Sequence, residues 1–291
     1  MFLQQLINGL TIGSSYALVA IGYTLVFGVL ELVNFSHSSV FMFGAYLAAV
    51  VLSKFVNVPA AFVTAIGLCG LFGISIDRFA LLPMRRRGAS RVSYLICTIG
   101  LSTVLQNIIF LIFGSEPMVY PQVILTGRIR VANAVISYLQ IFTLVLLLVL
   151  MVLTSLLVYK SKIGSSMRAI SQNEEAARLM GINVDTIITF TFFLGSALAA
   201  VAGIMVGMYY GNVDLTMGFT VGMKTFASAV LGGIGILPGA VIGGLSIGVI
   251  ESLFAGYISS GYKDAVAFII LIIVLLIKPT GLLGKKNVMK V

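Results

Sequence analysis

The chain has 291 residues, of which 59% are hydrophobic and only 9% are charged, with a formal net charge of +9 and a mean hydropathy of +1.13. A soluble domain needs roughly a quarter of its residues charged to cover its surface, so this composition excludes a soluble globular protein and indicates a lipid-covered one. The basic residues lie between apolar runs and form no stripe with interleaved aromatic residues, which argues against nucleic-acid binding.

Stretches without charged side chains predict the membrane-spanning helices, because a crossing needs about 20 apolar residues and lipid satisfies no backbone polar group. The stretches are 1–30, 32–53, 55–76, 92–115, 131–159, 186–213, 225–250 and 265–277. The first lacks the basic segment and the A-x-A site of a cleavable signal, so we expect a span there. The chain is predicted to be all-α, a polytopic transmembrane helical bundle of eight or nine spans that forms one domain over residues 1–291.

Lysine and arginine residues cluster in three regions, 78–91, 160–178 and 278–290. Loops on the cytoplasmic side of a membrane carry an excess of these residues, so we expect all three regions there. The loop 114–137, rich in Gly and Pro, is expected on the opposite side. The C-terminus is then cytoplasmic and the N-terminus lies outside, provided that the stretch 32–53 crosses completely.

The loop 160–185 carries the signals of a short helix between two spans. Ser171 or Asn173 is suited to cap its start, and Glu174 and Glu175 fall in its first turn, where the helix dipole favours acidic residues. Gly181 is suited to end it in the left-handed conformation.

Small residues recur at helical spacing on two predicted spans. They are Gly195, Ala199 and Gly203 on one span and Gly239 and Gly243 on another. Such residues let transmembrane helices approach closely. The pattern leaves open whether they pack within this chain or against a second subunit.

Four polar residues are predicted to lie within or beside membrane segments, where they are costly to bury and are therefore functional candidates. They are Asn34, His37, Lys224 and Glu251. Glu251 follows 26 residues without a charged side chain, and either Lys224 or Lys263 is a possible partner. The sequence leaves open whether these groups stabilise the bundle or line a path for a solute. A metal site is not expected, because one histidine and two cysteines in apolar runs do not supply a ligand set.

The string Glu175-Ala176-Ala177, with Gly181 four residues on, resembles the EAA loop of ABC importer permeases. The Ile-x-Leu-Pro that often follows in that family is missing, since residues 191–194 have the sequence Thr-Phe-Phe-Leu. Five further stretches occur in the family's order and resemble the permeases of branched-chain amino acid ABC importers, LivH type. They are 8–18, 33–37, 179–183, 232–240 and 278–282.

The resemblance implies a bacterial inner membrane protein that works with a second, non-identical permease, two ATPase subunits and a periplasmic binding protein. It implies leucine, isoleucine, valine or a related amino acid as cargo, carried by alternating access. Glu174, Glu175, Ala176, Ala177 and Gly181 would then form a coupling helix that docks into a groove of the ATPase. ATP and magnesium would be bound by the ATPase, and this chain has no G-x-x-x-x-G-K-[ST] loop and no recognisable catalytic residues.

Two alternatives stay open at the level of sequence. The first is an ABC permease for another small solute, such as a sugar, urea or an amide. The second is a gradient-driven transporter or channel, because such proteins often use buried acidic residues and broken helices. Glu251 and the Gly-rich stretch 232–239 are compatible with the second.

Overall fold

The computed structural model describes residues 1–121, 127–131, 134–278 and 280–284. Its helices are α1 (Phe2–Leu30), α2 (Ser36–Phe55), α3 (Val58–Ser75), α4 (Leu82–Arg86), α5 (Arg91–Phe113), α6 (Tyr138–Lys160), α7 (Lys162–Gln172), α8 (Glu174–Leu179), α9 (Val184–Tyr210), α10 (Met217–Gly232), α11 (Leu237–Tyr257) and α12 (Lys263–Ile277). A π-helical turn, Ile76–Leu81, joins α3 to α4 without a break. The short strands β1 (Met118–Val119) and β4 (Asn212–Val213) pair antiparallel, as do β2 (Arg128–Val131) and β3 (Ala134–Ser137). The predicted all-α membrane bundle is confirmed.

Local signals set several helix boundaries. The side chain of Asn57 caps α3 by accepting a hydrogen bond from the N–H of Ala60 at 3.1 Å. Ser137 and Gln140 form a capping box at the start of α6, in which each side chain accepts from the other's backbone. Helix α9 ends at Gly211, whose φ of 73° lies in the left-handed region that favours glycine.

The bundle has two ends that differ in charge. At the hairpin end, which carries β2 and β3, Gln4 at the start of α1 donates a hydrogen bond to a carbonyl of β3 at 3.0 Å. At the opposite end, which we call the basic end, Arg91 pairs with Glu31 just after α1 at 2.7 Å. The N–H of Leu282 donates to the carbonyl of Leu231 at 2.7 Å, which places the segment 280–284 at the basic end. The start of α1 and the segment 280–284 therefore lie at opposite ends, as the charge pattern predicts.

The helices differ sharply in burial, which separates a centre from a rim. In α1 and α9, 83% and 78% of the most apolar window is buried, whereas the figure is 17% for α5 and for α6. Large apolar side chains such as Leu111 and Leu153 are exposed on these outer helices. In a membrane this surface contacts lipid or another subunit.

The number of long spans is smaller than predicted. Seven helices in the described residues are long and apolar enough to cross a membrane, against the eight or nine expected. The two remaining candidates are α10 with 16 residues and α12 with 15. At 1.5 Å per residue they measure about 24 and 22 Å, less than the ~30 Å hydrocarbon core. Both end at the basic end, where the N–H of Leu282 donates to the carbonyl of Leu231 near the end of α10.

Two predicted boundaries change. The stretch 225–250 is divided by a non-helical turn at 233–236, which agrees with its glycine and proline content. Arg78 and Asp77 do not lie in a loop, because the helix that starts at Val58 continues through the π-helical turn to Arg86. Asp77 is fully buried there.

The small residues predicted to pack helices do so within this chain. A side chain at Gly203 would meet the backbone of α2 at Phe41 and Ala45, and one at Gly243 would meet the backbone of α10. Gly195 faces α1 and the ring of His37, Gly239 faces Gly232, and Ala199 is fully buried. Packing between helices of this chain therefore explains the helical spacing of these small residues, and no second subunit is needed to explain it.

Candidate coupling site and buried polar clusters

Helices α7 and α8 form a helical hairpin at the basic end, between α6 and α9. The side chain of Ser161 accepts a hydrogen bond from the N–H of Gly164 at 3.0 Å and so caps α7. Asn173 ends α7 and caps α8, because its side chain accepts from the N–H of Ala176 at 3.0 Å. Of the two candidate caps, Asn173 is therefore the one used. Gly181 follows α8 with a φ of 82°, as expected.

The predicted coupling residues face in different directions. Ala177 is buried against this chain, whereas Glu175 and Ala176 are exposed and Glu174 is half-buried. Leu179 and Met180, which sequence reasoning did not select, are 89% and 83% exposed. Two large apolar side chains so exposed at the basic end, at the tip of a turn outside the long spans, form a small surface suited to contact another protein.

Ion pairs hold α8 to the start of α9. The Arg178 guanidinium lies 2.8 Å from a carboxylate oxygen of Glu174 and 3.4 Å from one of Asp185. The hydrogen bond that Arg178 donates to Glu174 raises the pKa of Arg178, so this side chain stays charged. Asp185 also pairs with Arg85 at 3.6 Å and Arg86 at 3.4 Å. Sequence reasoning missed these contacts, since they join residues far apart in the chain.

Asn34 and His37 lie where the chain turns back into the bundle. The Asn34 side chain accepts from the N–H and the hydroxyl of Ser36, at 3.1 and 2.5 Å. His37 is 2% exposed, and its Nε2 lies 3.2 Å from the carbonyl of Val19. Val19 precedes the end of α1 by 11 residues, or about 16 Å along the helix. Helix α2 therefore begins deep in the bundle, and residues 31–35 descend to that depth.

A cavity of about 160 Å³ opens beside the start of α2, between α2, α5 and α10. It has hydroxyl groups, an amide and apolar side chains in its wall. The lining includes Ser38, Ser39, Ser102, Gln106, Met42 and Phe219. The hydroxyls of Ser39 and Ser102 lie 2.6 Å apart and join α2 to α5. The wall is amphipathic, with neutral polar groups beside apolar side chains.

A second cavity, of about 580 Å³, lies at the basic end. The end of α1, helix α7, the turn 233–236 and the segment 280–284 surround it. Its lining includes Phe27, Gly28, Glu31, Ser171, Ile234 and Thr280. The α7–α8 hairpin thus contributes directly to its wall.

Lys224 and Glu251 form a buried ion pair near the middle of the bundle. The Lys224 Nζ donates to Glu251 Oε1 at 2.6 Å, and the two side chains are 5% and 3% exposed. The Tyr16 hydroxyl donates to the other oxygen of Glu251 at 2.9 Å. Asp264 in the first turn of α12 lies 2.5 Å from Lys224. Of the two partners left open by the sequence, the structure selects Lys224, and Lys263 instead lies 5.9 Å above the ring of Tyr210.

The four predicted buried polar residues therefore form two separate clusters. Asn34 accepts hydrogen bonds from Ser36 at the start of α2, His37 holds that start against α1, and Lys224 and Glu251 join α10 to α11. Each group has partners within the chain. A direct contact of any of them with a solute stays a prediction.

Comparisons with known proteins agree with this architecture. A family model described as "Branched-chain amino acid transport system / permease component" matches residues 5–275. The high-affinity branched-chain amino acid transport system permease protein BraD of Pseudomonas aeruginosa is 43% identical, over 100% of this chain and 98% of the relative. The corresponding LivH protein of Escherichia coli K12 is 41% identical over the same shares. The autoinducer 2 import system permease protein LsrC of Yersinia enterocolitica is 32% identical over 45% of this chain and 38% of the relative.

Proposed function

Because this chain belongs to the family of branched-chain amino acid transport permeases, we propose that it is the membrane-spanning subunit of an ATP-driven importer. Its cargo is leucine, isoleucine, valine or a related amino acid. It acts with a second, non-identical permease, two ATPase subunits that bind ATP and magnesium, and a periplasmic binding protein. The assembly lies in a bacterial inner membrane, and the basic end and the C-terminus of this chain face the cytoplasm.

The α7–α8 hairpin is the observation that carries this proposal. It stands at the basic end, it is fixed by caps and ion pairs, and it presents Glu175, Leu179 and Met180 to solvent. An ATPase subunit with an apolar groove and a basic rim would be complementary to this surface. The pair of apolar side chains would supply binding energy, and Glu175 would fix the orientation.

The positions of the two cavities support alternating access as the mechanism of this proposal. Closure of the ATPase subunits would displace α8 and, through Asn173, α7, which lines the cavity at the basic end. The cavity between α2, α5 and α10 lies deeper, on a face that a second permease would cover. Cargo would pass along this interface between the two permeases, from the deeper cavity to the one at the basic end.

The gradient-driven alternative drew on Glu251 and on the Gly-rich stretch 232–239. The first of these supports is weakened, because the carboxylate of Glu251 is engaged by Lys224 and Tyr16. An importer for another small solute keeps a specific observation in its favour, which is the similarity of part of the chain to an autoinducer 2 permease. The binding protein that delivers the cargo decides between these substrates.

The test uses the complete complex, purified through a C-terminal tag and reconstituted in proteoliposomes with its binding protein. We expect Glu175→Arg to abolish leucine uptake and the ATP hydrolysis that the loaded binding protein stimulates. Glu116→Arg is the matched control, since Glu116 is an exposed acid in the loop after α5, away from α8. Equal uptake by the two variants, or a purified chain without any ATPase, would refute the coupling role.

A further inference from the structure

A buried carboxylate lies at the one place where the helix formed by α3 and α4 departs from α-helical geometry. Asp77 is in the π-helical turn and is fully buried. It pairs with Arg85 at 3.0 Å and accepts a hydrogen bond from the Thr189 hydroxyl at 2.6 Å. Thr189 belongs to α9, so this carboxylate fastens α9 to the helix that contains the π-helical turn. Such turns occur frequently at functional sites.

Arg85 continues the contacts towards the coupling hairpin. Its second terminal nitrogen lies 3.6 Å from Asp185 at the start of α9, and only 8% of its side chain is exposed. Asp185, 18% exposed, lies 3.4 Å from Arg178 of α8, which pairs with Glu174. A continuous series of ion pairs therefore runs from the solvent-facing α8 to a buried point in the π-helical turn that follows α3. Arg86 also contacts Asp185. With Arg86 included, the network holds three acidic and three basic groups and has no net charge.

Close packing makes α3 and α9 move together. A side chain at Gly73 of α3 would meet Ser196 and the Phe192 carbonyl of α9, and one at Gly70 would meet the ring of Phe193. The two helices are thus in close contact along this face. A force applied to one end of α9 is therefore shared by both helices.

We propose that Asp185 is a positioning residue that links the coupling helix to the α3–α9 pair. Its carboxylate is held between Arg178 on α8 and Arg85 on the helix of the π-helical turn, so a displacement of α8 is passed to α3 and α9 together. Without it α8 still folds and docks, but its motion no longer reaches the membrane helices. The proposal rests on the proposed function, since it requires an ATPase that moves α8.

Asp185→Asn is the informative variant because it removes the charge and keeps the shape. Asp77 retains Arg85 and Thr189, so no buried acid is left without a partner. Three basic groups lose the charge of Asp185. The buried Arg85 keeps its pair with Asp77 at 3.0 Å, while Arg86 and Arg178 are 70% and 49% exposed and stay solvated. The chain is therefore expected to insert and fold.

The experiment measures amino acids imported per ATP hydrolysed by the reconstituted complex. We expect Asp185→Asn to retain both ATPase subunits on purification and to lose at least about fivefold in this ratio, at the low end of the usual range of coupling between sites. Asp185→Glu should restore most of the lost ratio of amino acids imported per ATP hydrolysed. Arg91→Gln is the control, because Arg91 is an exposed arginine at the same end whose partner, Glu31, lies outside the network.

A second variant tests whether the residues act as one link. Arg178→Gln breaks the same contact from the side of α8, so the double variant should be no worse than either single one. Four outcomes would each overturn the link. Two concern Asp185→Asn, which would show a normal ratio or release the ATPase subunits. The others are an equal loss in Arg91→Gln and additive losses in the double variant. If Glu175→Arg still couples ATP hydrolysis to uptake normally, the coupling role of α8 itself fails. This outcome is distinct from failure of the link through Asp185.

Discussion

Replacing Lys224 by methionine tests the buried ion pair that joins α10 to α11. Lys224→Met keeps most of the side-chain volume and removes the ammonium group 2.6 Å from Glu251. The carboxylate then stays 3% exposed, with the Tyr16 hydroxyl as its hydrogen-bond donor at 2.9 Å. Breaking a buried pair by removing one partner typically costs about 3–5 kcal/mol, because the remaining charge is uncompensated.

The structure predicts an asymmetry between the two partners. Glu251→Gln leaves Lys224 with a second carboxylate, since Asp264 lies 2.5 Å away and is half-exposed. The loss is then that of one charge-assisted hydrogen bond, about 1.5–3 kcal/mol. In the double variant the glutamine still accepts from Tyr16 and no charge is stranded. The double variant should therefore be more stable than Lys224→Met alone, which means a coupling energy larger than the about 1.5–3 kcal/mol that Glu251→Gln costs by itself.

Unfolding by a denaturing detergent in mixed micelles measures these free energies. Loss of helical circular dichroism is a suitable signal, since the chain contains no tryptophan. Arg91→Gln again provides the matched control, because it breaks an exposed pair whose side chains are 77% and 55% exposed and whose loss costs about 0–1 kcal/mol. A Lys224→Met variant as stable as this control, or a double variant that loses the sum of the single effects, would refute the reasoning.

Two further predictions concern packing and docking. Gly203→Ala should lower the free energy of unfolding by about 1–3 kcal/mol in the same assay, because the added methyl group would meet the α2 backbone. Gly100→Ala in α5 should be neutral or slightly stabilising, since no described atom lies within 4 Å of its added methyl group; similar losses at both positions would contradict the packing argument. Leu179→Ser should weaken binding of the isolated ATPase to the permease pair about tenfold or more, since burying one leucine contributes about 1.5–3 kcal/mol. Surface plasmon resonance on nanodiscs measures this affinity, with the outward-facing Leu111→Ser of α5 as control, and an unchanged affinity would show that the ATPase does not cover Leu179.

Local features of the chain were predictable because they depend on residues close in sequence. The cap at Asn173, the left-handed turn at Gly181 and the break at 233–236 each follow from backbone preferences within a few positions. The pairing of Glu251 with Lys224 was one of two candidates, because isolated charges in apolar helices need a partner.

Other features depend on contacts between distant parts of the chain. The charge pattern predicts that the span ends at residue 76 and that a basic loop begins with Arg78, and it assigns no role to Asp77. The structure instead continues the helix and buries the acid against Arg85 and Thr189, the latter 112 positions away. The sequence also does not predict the depth at which α2 starts, since this depth is set by the contact of His37 with Val19. The order of charged residues along the chain predicts neither of these two contacts.

The two buried charge clusters have different mechanical positions in the bundle. Lys224 and Glu251 join α10 and α11 near the middle of the bundle, since Lys224 is the eighth of the sixteen residues of α10. Asp77 and Asp185 join α8, α9 and the π-helical turn after α3 at the basic end. Helix α9 connects this second cluster with the interior, since Gly203 packs against the same helix α2 whose first turn borders the deeper cavity. A displacement of α8 would therefore be transmitted to the cavity through α9 and α2. The Lys224 cluster would keep α10 and α11 together, so that α9 and α2 move relative to this pair.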